Sequence, residues 1–206
     1  MDFEGAKAFM IEKLRLELNP GYTYHCLEHS LDVYAAAATL ARMEGLGAME
    51  TRLIEVAALF HDAGMLHTYS DHEAASVGLA TCFLPAYGFS GEEIDIVSSM
   101  IMATRLPQSP KTKAEEVLCD ADLDYLGRDD FFIHSMELQH EWKRFGILDT
   151  TLSGWLEIQI RFLTNHSYFT ASAISLRNEK KSENLNEIVS LWQQKNLQNP
   201  GSTTLS

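Results

Sequence analysis

Apolar residues recur at helical spacing through most of this 206-residue sequence, and glycine, proline and capping residues interrupt them at helix-length intervals. No stretch alternates in the manner of a strand. The spacing predicts helices over 3–18, closed by Asn19-Pro20-Gly21, and over 24–44, from Thr23 to the "EGLG" stretch. A third spans 49–62 and ends at Gly64, whose freedom suits a left-handed C-cap. Ser70 and Glu73 have capping-box spacing and open a fourth that ends near Pro85. Ser90 and Glu93 repeat the device for a fifth that ends near Thr104. Two prolines make "RLPQSPK" a loop. Helices over 112–125, 128–145, 150–165 and beyond Tyr168 complete the set. The expectation is one compact all-α domain over 1–198 with a flexible tail over 199–206.

Composition narrows the function. The formal net charge is −13, and the only basic cluster (Arg177, Lys180, Lys181) is interleaved with Glu179 and Glu183. A polynucleotide-binding surface needs a basic footprint, so a polynucleotide partner is not expected. No run of about 18 apolar residues exists, so no membrane span is expected either. The N-terminal stretch carries Asp2 and Glu4 where a signal peptide carries positive charge, and reads as an amphipathic helix. Cys26, Cys82 and Cys119 are scattered and odd in number, which fits a reducing, cytoplasmic setting. Trp142, Trp155 and Trp192 are expected in core or interface packing, which leaves room for a homodimer.

The chemistry-bearing residues sit inside apolar helices. His25 and His29 are four apart in the predicted second helix and would share a face. Either alone reads as a core or helix-surface histidine; as a pair they can approach a common site. His61 and Asp62 are adjacent, and neighbours on a helix diverge by about 100°, so they converge only where the helix is ending. Asp62 at a helix C-terminus opposes the macrodipole. The following "AGMLHTYSDH" holds no lysine or arginine to offset it. A divalent cation would. His67 reads as a surface loop residue, and His72, in the first turn of the fourth helix, faces either the same site or solvent.

Asp120, Asp122 and Asp124 alternate in an otherwise apolar helix. Buried carboxylates are paired or metal-bound. Asp120 and Asp124 share a face while Asp122 lies opposite, so the three cannot serve one ion. Tyr125 and Leu126 follow where a calcium loop needs glycine, so an EF-hand does not fit.

A histidine, then His-Asp, then a distant aspartate, each on its own helix, resembles the HD superfamily of metal-dependent phosphohydrolases. "HCLEHSLDV" is similar to its first-histidine helix, "VAALFHDAGM" to its signature segment and "CDADLDYLG" to its closing aspartate helix, over about residues 22–130. The resemblance implies an HD-type domain with His29, His61, Asp62 and Asp122 as metal ligands. Asp120 is the fallback for the last, because "DADL" allows a shift of register. His72 resembles the first of the extra histidines of binuclear members. The second would fall in "MIMATRLP", where this chain has none. One firmly held ion is therefore expected, any second needing water or substrate to complete its shell.

Two imidazoles and two carboxylates suit Mn²⁺, Fe²⁺, Co²⁺, Ni²⁺ or Zn²⁺ better than calcium, with Mg²⁺ also admitted. The family's chemistry implies hydrolysis of a nucleotide or other small phosphomonoester or phosphodiester. Asp62, His25 and His72 are then the catalytic candidates, with Glu28 or Glu73 orienting an imidazole. Arg105 and Lys111, flanking the proline loop, are the candidates for binding phosphate. Two other readings compete: a non-catalytic nucleotide- or metal-binding HD module, and an HD-type iron-dependent oxygenase. His166 and Thr170 are expected to be structural.

Overall fold

The computed structural model describes residues 1–198, so the tail expected over 199–206 lies outside the described residues. The helical periodicity resolves into nine α-helices: α1 (Phe3–Glu17), α2 (Leu27–Met43), α3 (Ala48–Phe60), α4 (His72–Phe83), α5 (Gly91–Ala103), α6 (Lys113–Asp122), α7 (Phe131–Arg144), α8 (Leu152–Asn165) and α9 (Ala171–Gln198). Single 3₁₀ turns at Ala63–Leu66, Leu84–Tyr87 and Asp124–Gly127 carry the chain out of α3, α4 and α6. No strand occurs among the described residues. The protein is all-α.

Local chemistry accounts for most boundaries. Asp2 caps α1 by accepting from Gly5 N at 2.8 Å. The predicted capping box at Ser90 and Glu93 opens α5, and Thr112 with Glu115 forms a second one at α6. Three of the boundaries that differ from the sequence expectation bear on the site. The second helix starts at Leu27 rather than residue 24, because the strap before it is tied to α7 instead of to itself. Thr23 Oγ1 donates to Glu137 O at 2.7 Å, and the backbone N–H groups of Tyr24 and His25 donate to Glu141 at 2.9 and 3.0 Å. His25 and His29 therefore do not share a helix face. Ser70 and Glu73 form no capping box: α4 starts at His72 behind Asp71, whose φ of 62° turns the chain left-handed. The sixth helix stops at Asp122, and a 3₁₀ turn takes over.

Two apolar clusters hold the fold. The larger is built from α1 to α6; Met10, Leu40, Ile54, Leu59, Phe60, Met100 and Leu118 are among its fully buried side chains. Burial of each such side chain contributes about 1.5–3 kcal/mol. The smaller joins α7, α8 and α9 through Leu126, Phe131, Leu156, Leu163 and Ile188. Tyr24 and Leu123 belong to the smaller cluster, whereas Ala121 belongs to the larger. The seam between the clusters thus runs past Asp122. Of the tryptophans, Trp155 is fully buried and donates to Ser135 Oγ at 3.0 Å.

A candidate metal centre at the helix ends

The end of α3 brings two consecutive side chains to one point. His61 is still helical (φ −56°, ψ −41°), and Asp62 leaves the helix at φ −103°, ψ 6°. The glycine expected to stop the helix acts differently. Gly64 has no positive φ; it is required because α4 lies against it. A Cβ there would stand 1.9 Å from His72 O and 2.7 Å from Ser76 N. Gly64 N donates to Ser76 Oγ at 2.7 Å, which fixes the approach of α4 and with it His72.

His61 Nδ1 lies 2.7 Å from Ala58 O and donates to it, so Nε2 is the nitrogen turned toward the site, free to serve as a ligand when a cation takes the place of its proton. His29, from the first turn of α2, and Asp122, from the last turn of α6, arrive at the same place. His29, His61 and Asp122 offer ligand atoms that all lie within 4.8 Å of one another. Asp122 Oδ1 is 3.3 Å from His29 Nε2 and 3.4 Å from His61 Nε2. Asp62 Oδ2 is 3.5 and 3.2 Å from the same two nitrogens. Both Nε2 atoms are buried without a hydrogen-bond partner. Two orphaned imidazole nitrogens facing two carboxylates fit a divalent cation, and without one they are a cost of about 1–3 kcal/mol each.

The electrostatics agree. Burial by itself lowers the pKa of His61, but Asp62 and Asp122 outweigh it and raise it well above the ordinary imidazole value. Burial by itself raises Asp62, yet His61 and His72 hold it well below the usual carboxylate range. Burial raises Asp122 too, and His29 and His61 bring it down to about 2. The site stabilises positive charge among two carboxylates. The offset that Asp62 lacks in sequence comes partly from imidazoles.

His72 points back at this cluster. Its Nε2 is 3.3 Å from Asp62 Oδ1 and 3.6 Å from Glu73 Oε1, while Nδ1 faces Tyr69 O at 3.0 Å. Burial opposes the charge on His72, but Asp62 raises its pKa to about 9. His25 stands beside it, with ring centroids 5.5 Å apart. Its Nδ1 is paired with Glu141 Oε1. Glu141 is fully buried, and also accepts from Tyr69 OH at 2.8 Å. Sequence reasoning missed Glu141. Its signal was a carboxylate on the same helical stripe as Phe131 and Leu138.

Asp120, the fallback ligand, is corrected to an anchor. Its carboxylate accepts from Phe169 N, Thr170 N and Thr170 Oγ1 at 2.7–2.8 Å, turned away from the cluster. Asp124 pairs with Arg177 at 2.7 Å. Arg105 and Lys111 are corrected as well. Arg105 is exposed and paired with Asp71 at 2.7 Å, and Lys111 is exposed; neither lines the cavity at the site. Glu28 lines a separate hollow with Arg128 and His134, leaving Glu73 as the acid beside His72.

The cluster floors a cavity of about 230 Å³. His25, Asp62, His72 and Asp122 line one side of it, and Tyr24 and Trp142 are among its aromatic walls. A helical domain with buried histidines and aspartates converging below such a cavity has the features of a metal-centre protein. Residues 26–125 match the HD domain family, and this stretch of the chain is an HD domain. Two solved structures share the fold. One, described as a predicted HD superfamily hydrolase from an uncultured Thermotogales bacterium, is 20% identical with a TM-score of 0.57, over 93% of this chain and 91% of that one. The other, a protein from Lactobacillus plantarum, is 16% identical with a TM-score of 0.65, over 94% of this chain and 97% of that one. No curated protein matches the sequence.

Proposed function

We propose that this chain is a metal-dependent phosphohydrolase acting on a small phosphoester, such as a nucleotide. The observation that carries the reading is the pair of buried, unpartnered Nε2 atoms of His29 and His61 facing Asp62 and Asp122 beneath a cavity. These four residues would hold the ion, and their N/O set suits Mn²⁺, Fe²⁺, Co²⁺, Ni²⁺ or Zn²⁺, with Mg²⁺ admitted. A divalent ion held there supplies a Lewis acid for a phosphoryl oxygen and lowers the pKa of a coordinated water.

The chain's own groups provide the rest. His72, with Nδ1 facing Tyr69 O at 3.0 Å, presents its Nε2 3.3 Å from Asp62 Oδ1. That nitrogen is placed to hydrogen-bond to, or exchange a proton with, a phosphoryl oxygen or a leaving group. Glu141 fixes the ring of His25, whose remaining nitrogen serves as a second hydrogen-bonding group at the cavity wall. Tyr24, Tyr125 and Phe162 exclude bulk water and strengthen these interactions. The HD-domain match over residues 26–125 and the description of the Thermotogales protein as a predicted HD superfamily hydrolase support this reading.

The test is metal analysis of purified wild type and Asp62→Ala, with a panel of phosphatase and phosphodiesterase substrates. Wild type is expected to hold one ion per chain and turn over a member of the panel; the variant should lose both. Equal metal content and equal turnover in the two proteins would refute the reading. Retained metal without turnover in wild type would favour a binding module.

A further inference from the structure

Two loops border the cavity. Tyr69 lines it from the loop before α4, and Thr104 and Leu106 line it from the end of α5 and the proline loop that follows. The Tyr69 side is fixed, because its hydroxyl donates to the buried Glu141 at 2.8 Å and its ring meets that of His25 edge-on. The other side is not. Leu106 lines the cavity yet is 58% exposed, so it stands at the rim. Among the described residues, Arg105, Leu106 and Pro107 make no backbone–backbone hydrogen bond. The loop is next fastened at Gln108, whose Nε2 donates to Cys119 O at 2.9 Å, and at Ser109, whose N–H donates to Ala103 O at 3.1 Å.

An ion pair crosses from one rim to the other. Arg105 Nη2 lies 2.7 Å from Asp71 Oδ1, and both side chains are a little over half exposed. Arg105 stands between the lining residues Thr104 and Leu106, and Asp71 follows Tyr69 closely in the opposite loop. The position of Asp71 serves this contact and not its own helix. An aspartate just ahead of a helix ordinarily accepts from an N–H of the first turn. Asp71 makes no such bond to α4. Its backbone is left-handed (φ 62°, ψ 33°), and it is the only non-glycine residue with positive φ among the described residues. That conformation is unfavourable for a residue with a side chain. A strained residue whose carboxylate leaves its helix to reach across a cavity mouth points to a role at that mouth. The pair can also open, since exposed ion pairs contribute little and are screened by salt.

Resting on the phosphohydrolase reading, we infer that Arg105 and Asp71 form a clasp across the mouth of the cavity that sets the largest organic group the site admits. With the clasp closed, Leu106 is held at the rim opposite Tyr69. The volume behind it, about 230 Å³, lies below the roughly 300–1,000 Å³ of drug-sized sites, so compact esters are favoured. With the clasp open, residues 105–107 swing away from Tyr69 and bulkier esters enter. Size selection thus resides in two residues that line neither the cavity nor the metal cluster.

The test compares Mn²⁺-loaded wild type with Arg105→Gln, Asp71→Asn, the double variant and Arg105→Lys. Asparagine is chosen because it tolerates left-handed backbone. The measurement is kcat/KM for phenyl, 1-naphthyl and 4-biphenylyl phosphates, whose leaving groups grow in size. Phenyl phosphate should be turned over alike by wild type and Arg105→Gln. The ratio of kcat/KM for the biphenylyl ester to that for phenyl phosphate should rise about two- to fivefold in either single variant. The double variant should show no further rise, because both changes break one contact. Arg105→Lys should keep the wild-type ratio. Salt at about 1 M should raise the ratio in wild type and leave it unmoved in Arg105→Gln. An unchanged ratio in Arg105→Gln, or additive effects of the two substitutions, overturns the inference. An equal loss on all three esters in Arg105→Gln alone makes Arg105 a phosphate contact and also overturns it. If wild type hydrolyses none of these esters, the phosphohydrolase reading fails, and acrylamide quenching of the cavity residue Trp142 decides separately. Trp192→Phe is the background for this measurement, in which Trp155 is fully buried. Quenching that steepens in Arg105→Gln supports the clasp, and equal quenching in the two proteins overturns it.

Discussion

Asp120 and Asp122 stand two residues apart on α6, and the helix turns them to opposite sides. Asp120 gathers three hydrogen bonds from Phe169 and Thr170 and so docks the start of α9. Asp122 faces the imidazoles of His29 and His61. Asp120→Ala should therefore cost about 2–4 kcal/mol in urea unfolding and leave metal content per folded chain intact. Asp122→Ala should do the reverse, stripping the metal while the metal-free fold keeps its stability. A ligand role for Asp120 would show as lost metal in the first variant. The alternation of the acids already said that both could not serve one ion. Which one faced the site was not legible, because the partners of Asp120 lie 49 and 50 residues further along the chain. His166, expected to be structural, also yields a prediction. Burial and the neighbouring Lys181 ammonium, 3.3 Å from its Nδ1, lower its pKa from 6.5 to about 4. Between those values the unfolded chain holds the extra proton. The stability from neutral His166 is therefore complete above pH 6.5 and lost as pH falls toward 4. One proton limits the slope to about 1.4 kcal/mol per pH unit. His166→Asn should flatten the stability profile by up to that slope in this window; an unaltered profile would contradict the assignment.

Among the elements, α2 and α4 begin later than local spacing predicts, and each start has a distinct cause. Residues 22–26 are held by Glu137 and Glu141 of α7, more than 100 positions away, and local spacing carries no trace of such partners. Ser70 and Glu73 matched a capping box, but the left-handed turn at Asp71 moved the helix start past Ser70. Where a cap is local, as at Ser90 with Glu93, the reading was right. The packing of α4 on the turn after α3 depends on Gly64, since a methyl group there would overlap the backbone of α4. Gly64→Ala should push α4 away, displacing His72 while leaving His29, His61 and Asp122 on their own helices. The expected result is a loss of about 2–4 kcal/mol in stability. Catalytic turnover should fall by more than metal affinity does. A variant with wild-type unfolding midpoint and turnover would show that α4 is not held in this way. Glu141 ties α7 to the strap and to Tyr69 of the loop before α4. Its pKa is lowered below the usual glutamate value: burial acts against this, and the bond to His25 prevails. Glu141→Gln retains the size but turns an amide N–H₂ toward groups that donate. His25 should lose its fixed orientation, and substrate turnover should drop without loss of bound metal.

The whole molecule is organised so that the ends of three separate helices, α2, α3 and α6, meet where the larger apolar cluster borders the smaller one. Each end delivers a side chain that is unsatisfied alone, and the folded chain is the only state that assembles them. An ion bound there acts as a ligand of the native state and shifts the folding equilibrium by mass action. At a free concentration about 100 times its dissociation constant the gain is about 2.7 kcal/mol. For a chain of this size, each kcal/mol moves the melting temperature by about 2–4 °C. Chelation should then lower the midpoint of the wild type by about 5–11 °C, and adding the metal back should restore it. The same treatment should leave Asp62→Ala unmoved, because His29 and His61 lose one of the two carboxylates that close the site. The variant controls for any effect of the chelator on the rest of the protein. Equal shifts in wild type and variant would locate the ion elsewhere. A wild type indifferent to both chelator and metal would mean that the orphaned nitrogens of His29 and His61 are a fixed cost of this fold rather than the lining of a metal centre.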